Sequence, residues 1–379
     1  MRIALLTDGI FPYLVGGMQK HSYHLAKHLA KNGHTVYLFH CHGADKDSSK
    51  LELFTEDEKK NIRTFLIPFP KKSYYPLHYI TESRLYSKAI YNALLPLLPE
   101  TDFVFAQGFC AWELLNRKQA NTPPVVVHFH GLEMYQPIPS VKSRIAAYFM
   151  KNAVYANLVN TDYTISFGGK ITTILKELVP HEKIWEVPGG IEDNWLTTTI
   201  KPVGDKVRFV YLGRYERRKG IPELNETLKK LSTESAYPFE FTFIGDIPDE
   251  HKLKSPSIFY KGSISNENEI KSLLSQNDIL VSPSYAEGMP ISIMEATAQG
   301  LAIIATDVGS VSTLVNTNNG WLLPTPFPEV IALAMRSAIR DKASLQTKKE
   351  NSVKKIKEGF LLDTSANELI RLMEQHRKR

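Results

Sequence analysis

Residues 2–39, RIALLTDGIFPYLVGGMQKHSYHLAKHLAKNGHTVYLF, carry the pattern that decides the fold. The apolar run at 2–7 and the run Thr35–Phe39 each predict a buried strand. Between them, Met18–Lys31 has apolar residues at helical spacing, and Gly33 marks the end of that helix. A strand, a helix and a strand joined by short links predict two neighbouring parallel strands.

The same alternation continues along the chain. Four further runs of the first half are almost continuously apolar, as in strands that are buried on both faces. They are 103–106, 125–129, 163–166 and 184–187. A second series follows, with predicted strands at 208–212, 240–244, 258–260, 279–281 and 302–305 and predicted helices at 222–231, 268–274 and 291–299.

A polar stretch with proline and glycine, residues 197–205, separates the two series and predicts a domain boundary. We therefore expect an α/β protein with one domain at 1–197, a second at 198–361 and a final helix within 362–379. Each domain would be a doubly wound, Rossmann-like sheet, in which ligands bind beyond the carboxyl ends of the strands. Two such domains would face each other across a central cleft.

The composition is that of an ordinary globular protein. Of the 379 residues, 43% are hydrophobic and 23% are charged, which excludes a disordered or coiled-coil chain. The net charge of +6 is spread evenly over the two halves, which argues against a nucleic-acid-binding protein. The two cysteines, Cys41 and Cys110, indicate free thiols in a reducing compartment, and we expect a cytoplasmic protein.

Two segments raise the alternative of peripheral contact with the inner face of a membrane. Residues 342–379 contain ten Lys or Arg against five Asp or Glu. A solvated helix explains this excess, and attraction to an anionic membrane surface is the alternative. In Lys71-Lys72-Ser73-Tyr74-Tyr75-Pro76-Leu77, basic residues stand beside tyrosines, so this loop would contact an acceptor or a lipid surface.

Two groups of residues suit a phosphorylated ligand. Gly16 and Gly17 lie between the first strand and the first helix, where glycine allows close approach and a helix N-terminus offers free N–H groups. They do not form the GxGxxG dinucleotide fingerprint. Arg214 and Lys219 follow the first strand of the second half, and two cations there would neutralise a diphosphate. The neighbouring Arg217 and Arg218 are expected on the solvated side of the turn.

The segment Glu287-Gly288-Met289-Pro290-Ile291-Ser292-Ile293-Met294-Glu295 is the most specific feature. It places one carboxylate in a loop after a predicted strand and a second one inside the following helix. Both can accept hydrogen bonds from sugar hydroxyls, and the backbone N–H groups of Gly288 and Met289 would point into the cleft. Glu295 stands among apolar residues, an unusual setting for a charge that only caps a helix.

His128 and His130 share one face of a strand, and His130 stands at its carboxyl end. The sequence identifies no further metal ligands beside them, so we expect no metal and assign His130 to substrate contact. His21, His24 and His28 are expected on a solvated helix face. Asp45-Lys46-Asp47 matches a DxD pattern that chance explains.

With these residues the chain resembles the retaining glycosyltransferases of family 4, which have the GT-B fold. The resemblance covers nearly the whole chain. It is carried by Gly16-Gly17, His130-Gly131, Pro188-Gly189-Gly190-Ile191-Glu192, Gly213-Arg214, Lys219-Gly220, Gly245 and the Glu287/Glu295 pair.

The resemblance implies a donor domain in the second half, an acceptor-side domain in the first half and a last helix that crosses back to the first domain. It assigns four catalytic residues, namely His130, Glu287, Arg214 and Lys219. It assigns donor binding to Gly16, Gly17, Arg214, Lys219, Ile264, Glu287, Gly288, Met289, Pro290 and Glu295. In this assignment Arg214 and Lys219 hold the diphosphate, Glu287 the sugar and Glu295 the ribose, while the backbone near Ile264 faces the base.

The chain departs from the family pattern in two places. Gly189 replaces an asparagine that is usual before the second glycine, which would reshape the hinge between the domains. The segment Gly309-Ser310-Val311-Ser312-Thr313 lacks the glutamate of a frequent Gly-Gly-x-x-Glu pattern, and so leaves one contact near the donor undefined.

The expected function is the transfer of a sugar, of the hexosyltransferase type, from a nucleotide-diphosphate sugar to a hydroxyl group. Retention and independence from metals are implied by the resemblance, no cofactor is expected, and a UDP-linked donor is favoured over a GDP-linked one. The acceptor would be a glycan, a glycolipid or a small molecule, with no nucleic acid as a partner. The alternatives are a nucleotide-sugar epimerase on the same scaffold and a non-catalytic subunit that binds nucleotide sugars.

Overall fold

A computed structural model of the chain describes residues 1–14, 16–41, 53–70, 78–234 and 237–377. Within these residues it contains two parallel β-sheets, each with apolar cores on both faces. Residues 71–77, which were predicted to contact an acceptor or a lipid surface, lie outside the described residues. So do residues 45–47, which match the DxD pattern.

The first sheet has seven strands in the order β3-β2-β1-β4-β5-β6-β7. They are β1 (Arg2–Leu6), β2 (Thr35–His40), β3 (Ile62–Leu66), β4 (Phe103–Gln107), β5 (Val125–His128), β6 (Tyr163–Ser166) and β7 (Ile184–Glu186). The order reverses between β1 and β4, so the loops after these strands diverge and leave a crevice at their carboxyl ends.

The second sheet has six strands in the order β10-β9-β8-β11-β12-β13. They are β8 (Val207–Leu212), β9 (Phe239–Ile244), β10 (Ile258–Tyr260), β11 (Ile279–Ser282), β12 (Ala302–Thr306) and β13 (Gly320–Leu323). Here the order reverses between β8 and β11, which are the strands that precede Arg214 and Glu287.

The α-helices connect the strands and cover the sheets. Those of the first half are α1 (Gly17–Lys31), α2 (Glu56–Lys59), α3 (His78–Leu94), α4 (Trp112–Asn116), α5 (Val141–Asn160) and α6 (Gly169–Leu178). Those of the second half are α7 (Ile221–Ser232), α8 (Glu267–Ser275), α9 (Ile291–Ala298), α10 (Val311–Leu314), α11 (Pro328–Arg340), α12 (Lys342–Gly359) and α13 (Leu362–Gln375). None of the helices within the described ranges combines the length and the apolar character needed to cross a membrane.

The prediction of two doubly wound halves is confirmed, and the predicted strands are observed with bounds that differ by one residue at most at either end. Two of the four edge strands, β3 and β13, were not predicted from the sequence. In β3 only Ile62 is buried while Arg63 and Thr64 are exposed, so this strand lacks a continuous apolar run. β13 begins at a glycine, which lowers the strand propensity of its start.

Helix α13 belongs to the core of the first sheet although it follows the second sheet in the chain. Its apolar face, with Ala366, Leu369, Ile370 and Met373, packs into the same cluster as β1 and α1. Buried His28 of α1 faces the same helix. The chain therefore passes between the two halves twice, once after β7 and once before α13.

These two passages are hydrogen-bonded to each other. The backbone N–H of Ile191 donates to the carbonyl of Phe360 at 2.9 Å, and the N–H of Leu362 donates to the carbonyl of Ile191 at 2.9 Å. Leu361 forms a parallel bridge with Ile191. Gly190 is packed so tightly here that a Cβ atom would lie 2.5 Å from the Cα of Leu362.

A buried ion pair joins α12 to the second sheet. The ammonium group of Lys349 donates to the Asp278 carboxylate at 2.6 Å, and their side chains are 1% and 2% exposed. Lys349 also donates to the carbonyl of Lys201, and the second carboxylate oxygen of Asp278 accepts the N–H of Arg208. Each charge is therefore satisfied without water.

We expect Lys349→Met to destabilise the fold strongly, because it leaves the Asp278 carboxylate buried without its cation. The expected loss is about 3–5 kcal/mol in the free energy of unfolding, measured by chemical denaturation. Adding Asp278→Asn to that variant should restore part of the loss, and exposed Lys354→Met is the matched control. A loss no larger than that of the control would contradict the prediction.

Candidate active site

A cleft of about 860 Å³ lies between the carboxyl ends of the two sheets. Loops after β1, β5, β8 and β11 line it, from both halves of the chain. The predicted site residues along it are Gly16, Gly17, His130, Arg214, Lys219, Glu287, Gly288, Met289, Pro290 and Glu295. Ile264 is not among the described lining residues and packs on an apolar core of the second half instead, so its proximity to a base stays a prediction.

The turn after β8 places Lys219 beside Glu287. Residues Arg217–Lys219 form one turn of 3-10 helix, which ends at Gly220 with φ of +70°. Only glycine fits there, because a Cβ atom would lie 1.9 Å from the carbonyl oxygen of Pro283. The Lys219 ammonium is thereby held 2.6 Å from a Glu287 carboxylate oxygen.

Arg218 also faces the cleft, so the prediction that it lies on the solvated turn is wrong. Its side chain is 28% exposed, it donates to the carbonyl of Ala286 at 3.1 Å, and it stands 3.4 Å from Glu287. Three residues per turn point Arg217, Arg218 and Lys219 in three directions. Of the three, Arg217 is 44% exposed and pairs with Glu223. Arg214 is 80% exposed at the edge of the cleft and pairs with Glu216 at 3.0 Å.

Glu287 is a buried and ionised carboxylate. Burial alone would raise the pKa of Glu287, but Lys219 and Arg218 outweigh it and hold the pKa below its ordinary value. The hydroxyl group of Ser284 donates to the same carboxylate at 2.7 Å. The group is therefore charged and fixed in direction at neutral pH.

Glu295 lies in a different electrostatic setting. It is 9% exposed on α9, and burial raises its pKa to about 7, although the charges of Lys20 and Lys271 act in the opposite direction. Lys20 of α1 donates to Glu267 of α8 at 2.5 Å, which joins the two halves beside Glu295. Lys20 and Glu267 could not be predicted from the sequence, because single charges in helices carry no local signal.

His130 belongs to a cluster of neutral imidazoles. Its Nε2 atom is 2.6 Å from the amide oxygen of Gln107, and the amide nitrogen of Gln107 is 3.2 Å from Nδ1 of His21. Burial holds the pKa of His130 and of His128 well below the ordinary value and lowers that of His21 to about 4. His130 can therefore exchange hydrogen bonds with a substrate but carries no charge at neutral pH.

The expectation that His21, His24 and His28 share a solvated face is wrong for two of them. His21 points into the imidazole cluster, and His28 is 7% exposed, with ring nitrogens close to Asp363 and Asn367 of α13. The three residues have helical spacing, which places them on one face of α1. Their burial could not be predicted from that spacing, because α13, which packs over that face, comes from the far end of the chain.

The imidazole cluster also bears on metal binding. Nitrogen atoms of His21, His128 and His130 lie within 4.8 Å of one another, and neither nitrogen of His128 has a hydrogen-bond partner among the described residues. However, the rings of His128 and His130 are stacked at 4.0 Å, and Gln107 already binds the other two histidines. Independence from metals stays a prediction.

Gln136 connects the first half of the chain to the backbone of Glu287. Its amide nitrogen donates to the Glu287 carbonyl at 2.7 Å, and its amide oxygen accepts the Glu287 N–H at 3.3 Å. Next to this contact a Cβ atom on Gly288 would lie 1.8 Å from the carbonyl oxygen of His130. On α1, a Cβ atom on Gly17 would lie 2.9 Å from Ile291. The two halves therefore touch directly at the predicted catalytic and donor-binding residues.

The structure shows what surrounds the two departures from the family pattern. The N–H of Gly189 donates to the sulfur of Met289 at 3.1 Å, and a Cβ atom at 189 would lie 2.8 Å from that sulfur. Gly309 has φ of +55°, and a Cβ atom there would lie 2.2 Å from the Glu287 carbonyl oxygen. Thr313 donates to the carbonyl of Ser310, so it stabilises its own short helix.

Two family models match the two halves of the chain. Residues 15–195 match the family described as Glycosyltransferase Family 4, and residues 199–358 match Glycosyl transferases group 1. Over 126 residues, 33% of this chain and 31% of the relative, the sequence is 34% identical to the putative teichuronic acid biosynthesis glycosyltransferase TuaC of Bacillus subtilis. The TuaC match thus spans about a third of that protein.

Longer matches are more distant. Over 358 residues, 89% of this chain and 74% of the relative, it is 24% identical to a phosphatidylinositol N-acetylglucosaminyltransferase subunit of Arabidopsis thaliana. Among solved structures, sucrose-phosphate synthase of Thermosynechococcus elongatus is similar with a TM-score of 0.80 at 19% identity, covering 99% of this chain and 98% of that one. HepE of Anabaena in complex with UDP-glucose has a TM-score of 0.67 at 17% identity, covering 99% and 100%.

The fold, the family matches and these structural neighbours define a glycosyltransferase with the GT-B fold. Within that class, the chain is of the family 4 type, because residues 15–195 match the model of that family and residues 199–358 match the group 1 transferases.

We expect Arg218→Ala to lower transferase activity on the order of a hundredfold, as a lost cation contact to a developing anion would. Lys219→Ala should behave in the same way. Arg217→Ala, one residue away on the exposed side of the turn, is the matched control and should change activity less than about threefold. Steady-state kinetics with melting curves tests this, and equal losses at all three positions would contradict the assignment of sides.

Proposed function

We propose that the protein transfers a sugar from a nucleotide-diphosphate sugar, UDP-linked rather than GDP-linked, to a hydroxyl group of an acceptor. The anomeric configuration would be retained, no metal or cofactor would take part, and the reaction would be of the hexosyltransferase type. The observation that carries the proposal is the cluster of Arg214, Arg218 and Lys219 around Glu287 in the cleft.

The cations suit a diphosphate that gains charge as it leaves the sugar. Arg214, Arg218 and Lys219 pair with the two carboxylates Glu216 and Glu287, which leaves one positive charge among these five side chains for an anion. The N-terminus of α1, at Gly16 and Gly17, opens on the same cleft and adds free N–H groups. Such groups stabilise a leaving diphosphate most where water is excluded.

Glu287 and His130 suit the sugar side of the donor. A fixed carboxylate can accept hydrogen bonds from sugar hydroxyls. It also stabilises the positive charge that the sugar ring develops as its bond to the diphosphate breaks. His130 is neutral, so it would orient the sugar by hydrogen bonds and would not deliver a proton from a charged imidazolium. No described residue is assigned as a covalent nucleophile.

The names of similar proteins support this reading of donor and acceptor. HepE was solved with UDP-glucose, and a trehalose-6-phosphate structure from E. coli holds UDP-2-fluoro glucose. The name of TuaC gives teichuronic acid and that of the plant relative gives phosphatidylinositol. We propose a glycan, glycolipid or small molecule as the acceptor, and the cytoplasm as the location.

The test is a screen of UDP- and GDP-linked sugars for slow hydrolysis by the purified protein, followed by candidate acceptors. We expect release of UDP from at least one UDP-sugar, and an unchanged rate in the presence of EDTA. A new epimer formed from donor alone would favour the epimerase alternative. Loss of activity in EDTA that Mn²⁺ or Zn²⁺ restores would contradict independence from metals.

We expect donor affinity to depend on pH through Glu295. Its folded-state pKa of about 7 lies above the ordinary value of 4.5, so the carboxyl group is partly protonated at neutral pH and becomes a full acceptor as pH rises. Because the contact to the ribose hydroxyls strengthens with ionisation, kcat/KM for the donor should rise about three- to tenfold from pH 6 to 8.

Glu295→Gln should flatten this pH profile, because it removes the titrating group and keeps a hydrogen-bonding side chain of similar size. His21, with its pKa of about 4, does not titrate in this range. A rise that persists in Glu295→Gln would assign the pH dependence to another group.

A further inference from the structure

Helix α5 of the acceptor-side half carries an unusual combination of residues. Its twenty residues, VKSRIAAYFMKNAVYANLVN, contain Lys142, Arg144 and Lys151 but no acidic residue. A solvent-facing helix of a globular protein ordinarily mixes both signs of charge and keeps large apolar side chains on its inner side.

Large apolar side chains on α5 nevertheless face outward. Ile145 is 61% exposed and Tyr148 is 65% exposed, although the same helix buries Ala153, Val154 and Leu158 on its inner side. We define the α5 stripe as Ile145, Tyr148, Phe149, Tyr155 and Val159, each of which is at least 43% exposed.

Helical spacing brings these residues onto one side. At about 100° per residue, the five members lie within about one third of the helix circumference, and each is three, four, seven or eleven positions from at least one other member. Arg144 and Lys151 stand along one border of the stripe, and no described acidic side chain forms an ion pair with either of them. The result is an apolar surface bordered by cations.

The chemistry of this surface favours an anionic lipid bilayer as its occupant. Tyrosine and phenylalanine sit well at the boundary between headgroups and acyl chains, and Lys and Arg without carboxylate partners attract anionic headgroups beside them. A protein partner of ordinary composition would leave the cations without the dense negative charge that a lipid surface provides.

The position of α5 gives such a contact a direction. Met150 and Val154 on the same helix line the cleft. The helix therefore has the cleft on one side and the α5 stripe on another, so a bilayer on the stripe would lie beside the acceptor-side wall of the cleft.

We propose that the α5 stripe, with Arg144 and Lys151, docks this protein on an anionic membrane surface. The proposal goes beyond the sugar-transfer chemistry and does not depend on the identity of the donor. Docking is measured without any donor, so its failure and a failure of the transferase assignment are separate results.

The test is co-sedimentation with vesicles of phosphatidylcholine alone and with vesicles that also contain about 30% phosphatidylglycerol, an anionic lipid. We expect the unmodified protein to bind the anionic vesicles. Ile145→Ser with Tyr148→Ser should lower the partition coefficient about tenfold or more, because it removes the two most exposed apolar groups of the stripe. Arg144→Glu with Lys151→Glu should lower the partition coefficient by more than about fivefold per charge. This loss should be seen only with the anionic vesicles.

Two matched controls separate this surface from others. Leu333→Ser changes an apolar residue of α11 that is 68% exposed, and Lys354→Glu with Lys357→Glu removes two exposed cations of α12. Both should bind vesicles as the unmodified protein does. Melting curves check that each variant is folded. If Ile145→Ser with Tyr148→Ser does not fold, Arg144→Glu with Lys151→Glu still tests the proposal.

Three results would overturn the proposal. The first is that the unmodified protein does not bind anionic vesicles. The second is that the α12 variant loses binding and the α5 variants keep it, which would assign docking to the basic C-terminal helix. The third is a dimer in sedimentation velocity that Ile145→Ser with Tyr148→Ser dissociates, which would show that a second copy of the chain covers the stripe.

Discussion

The buried carboxylate of Glu287 is the constraint on which the rest of the cleft depends. Burial disfavours its charge, and Lys219, Arg218 and Ser284 provide the cations and the hydrogen bond that keep it ionised. These partners come from the loops after β8 and β11, which are neighbouring strands, so one ion cluster fixes both loops. Because Gln136 binds the backbone of the same residue, the approach of the first domain is tied to that cluster as well.

In the proposed function, the same cluster would serve two parts of the donor. Its positive side chains are held in place by the carboxylates of Glu216 and Glu287. In the proposed reaction, an incoming diphosphate would compete with Glu287 for Lys219, and carboxylate oxygens of Glu287 would then be free to accept hydrogen bonds from sugar hydroxyls. The neutral histidines near His130 add hydrogen-bonding capacity without adding charge, so the field in the cleft is set by the cations and carboxylates.

Much of the fold could be predicted from the sequence, because strands buried on both faces are continuous apolar runs, as in β4 and β12. The edge strand β3 could not, since half-solvated strands lose that signal. In the site, Arg214, Lys219 and Glu287 stand in a local motif. Arg218 was misplaced because its direction depends on a single 3-10 turn, and Gln136 was missed because its partner lies 151 residues away.

The double passage of the chain between the domains restricts how the cleft can open. The two connections are bonded side by side at Ile191 and Leu361, so they act as one axis and not as two independent tethers. A rotation of one domain about that axis keeps these bonds, and we expect such a rotation to open the cleft. Because Gln136–Glu287 and Lys20–Glu267 both join the two domains across the cleft, such an opening would separate both contacts together.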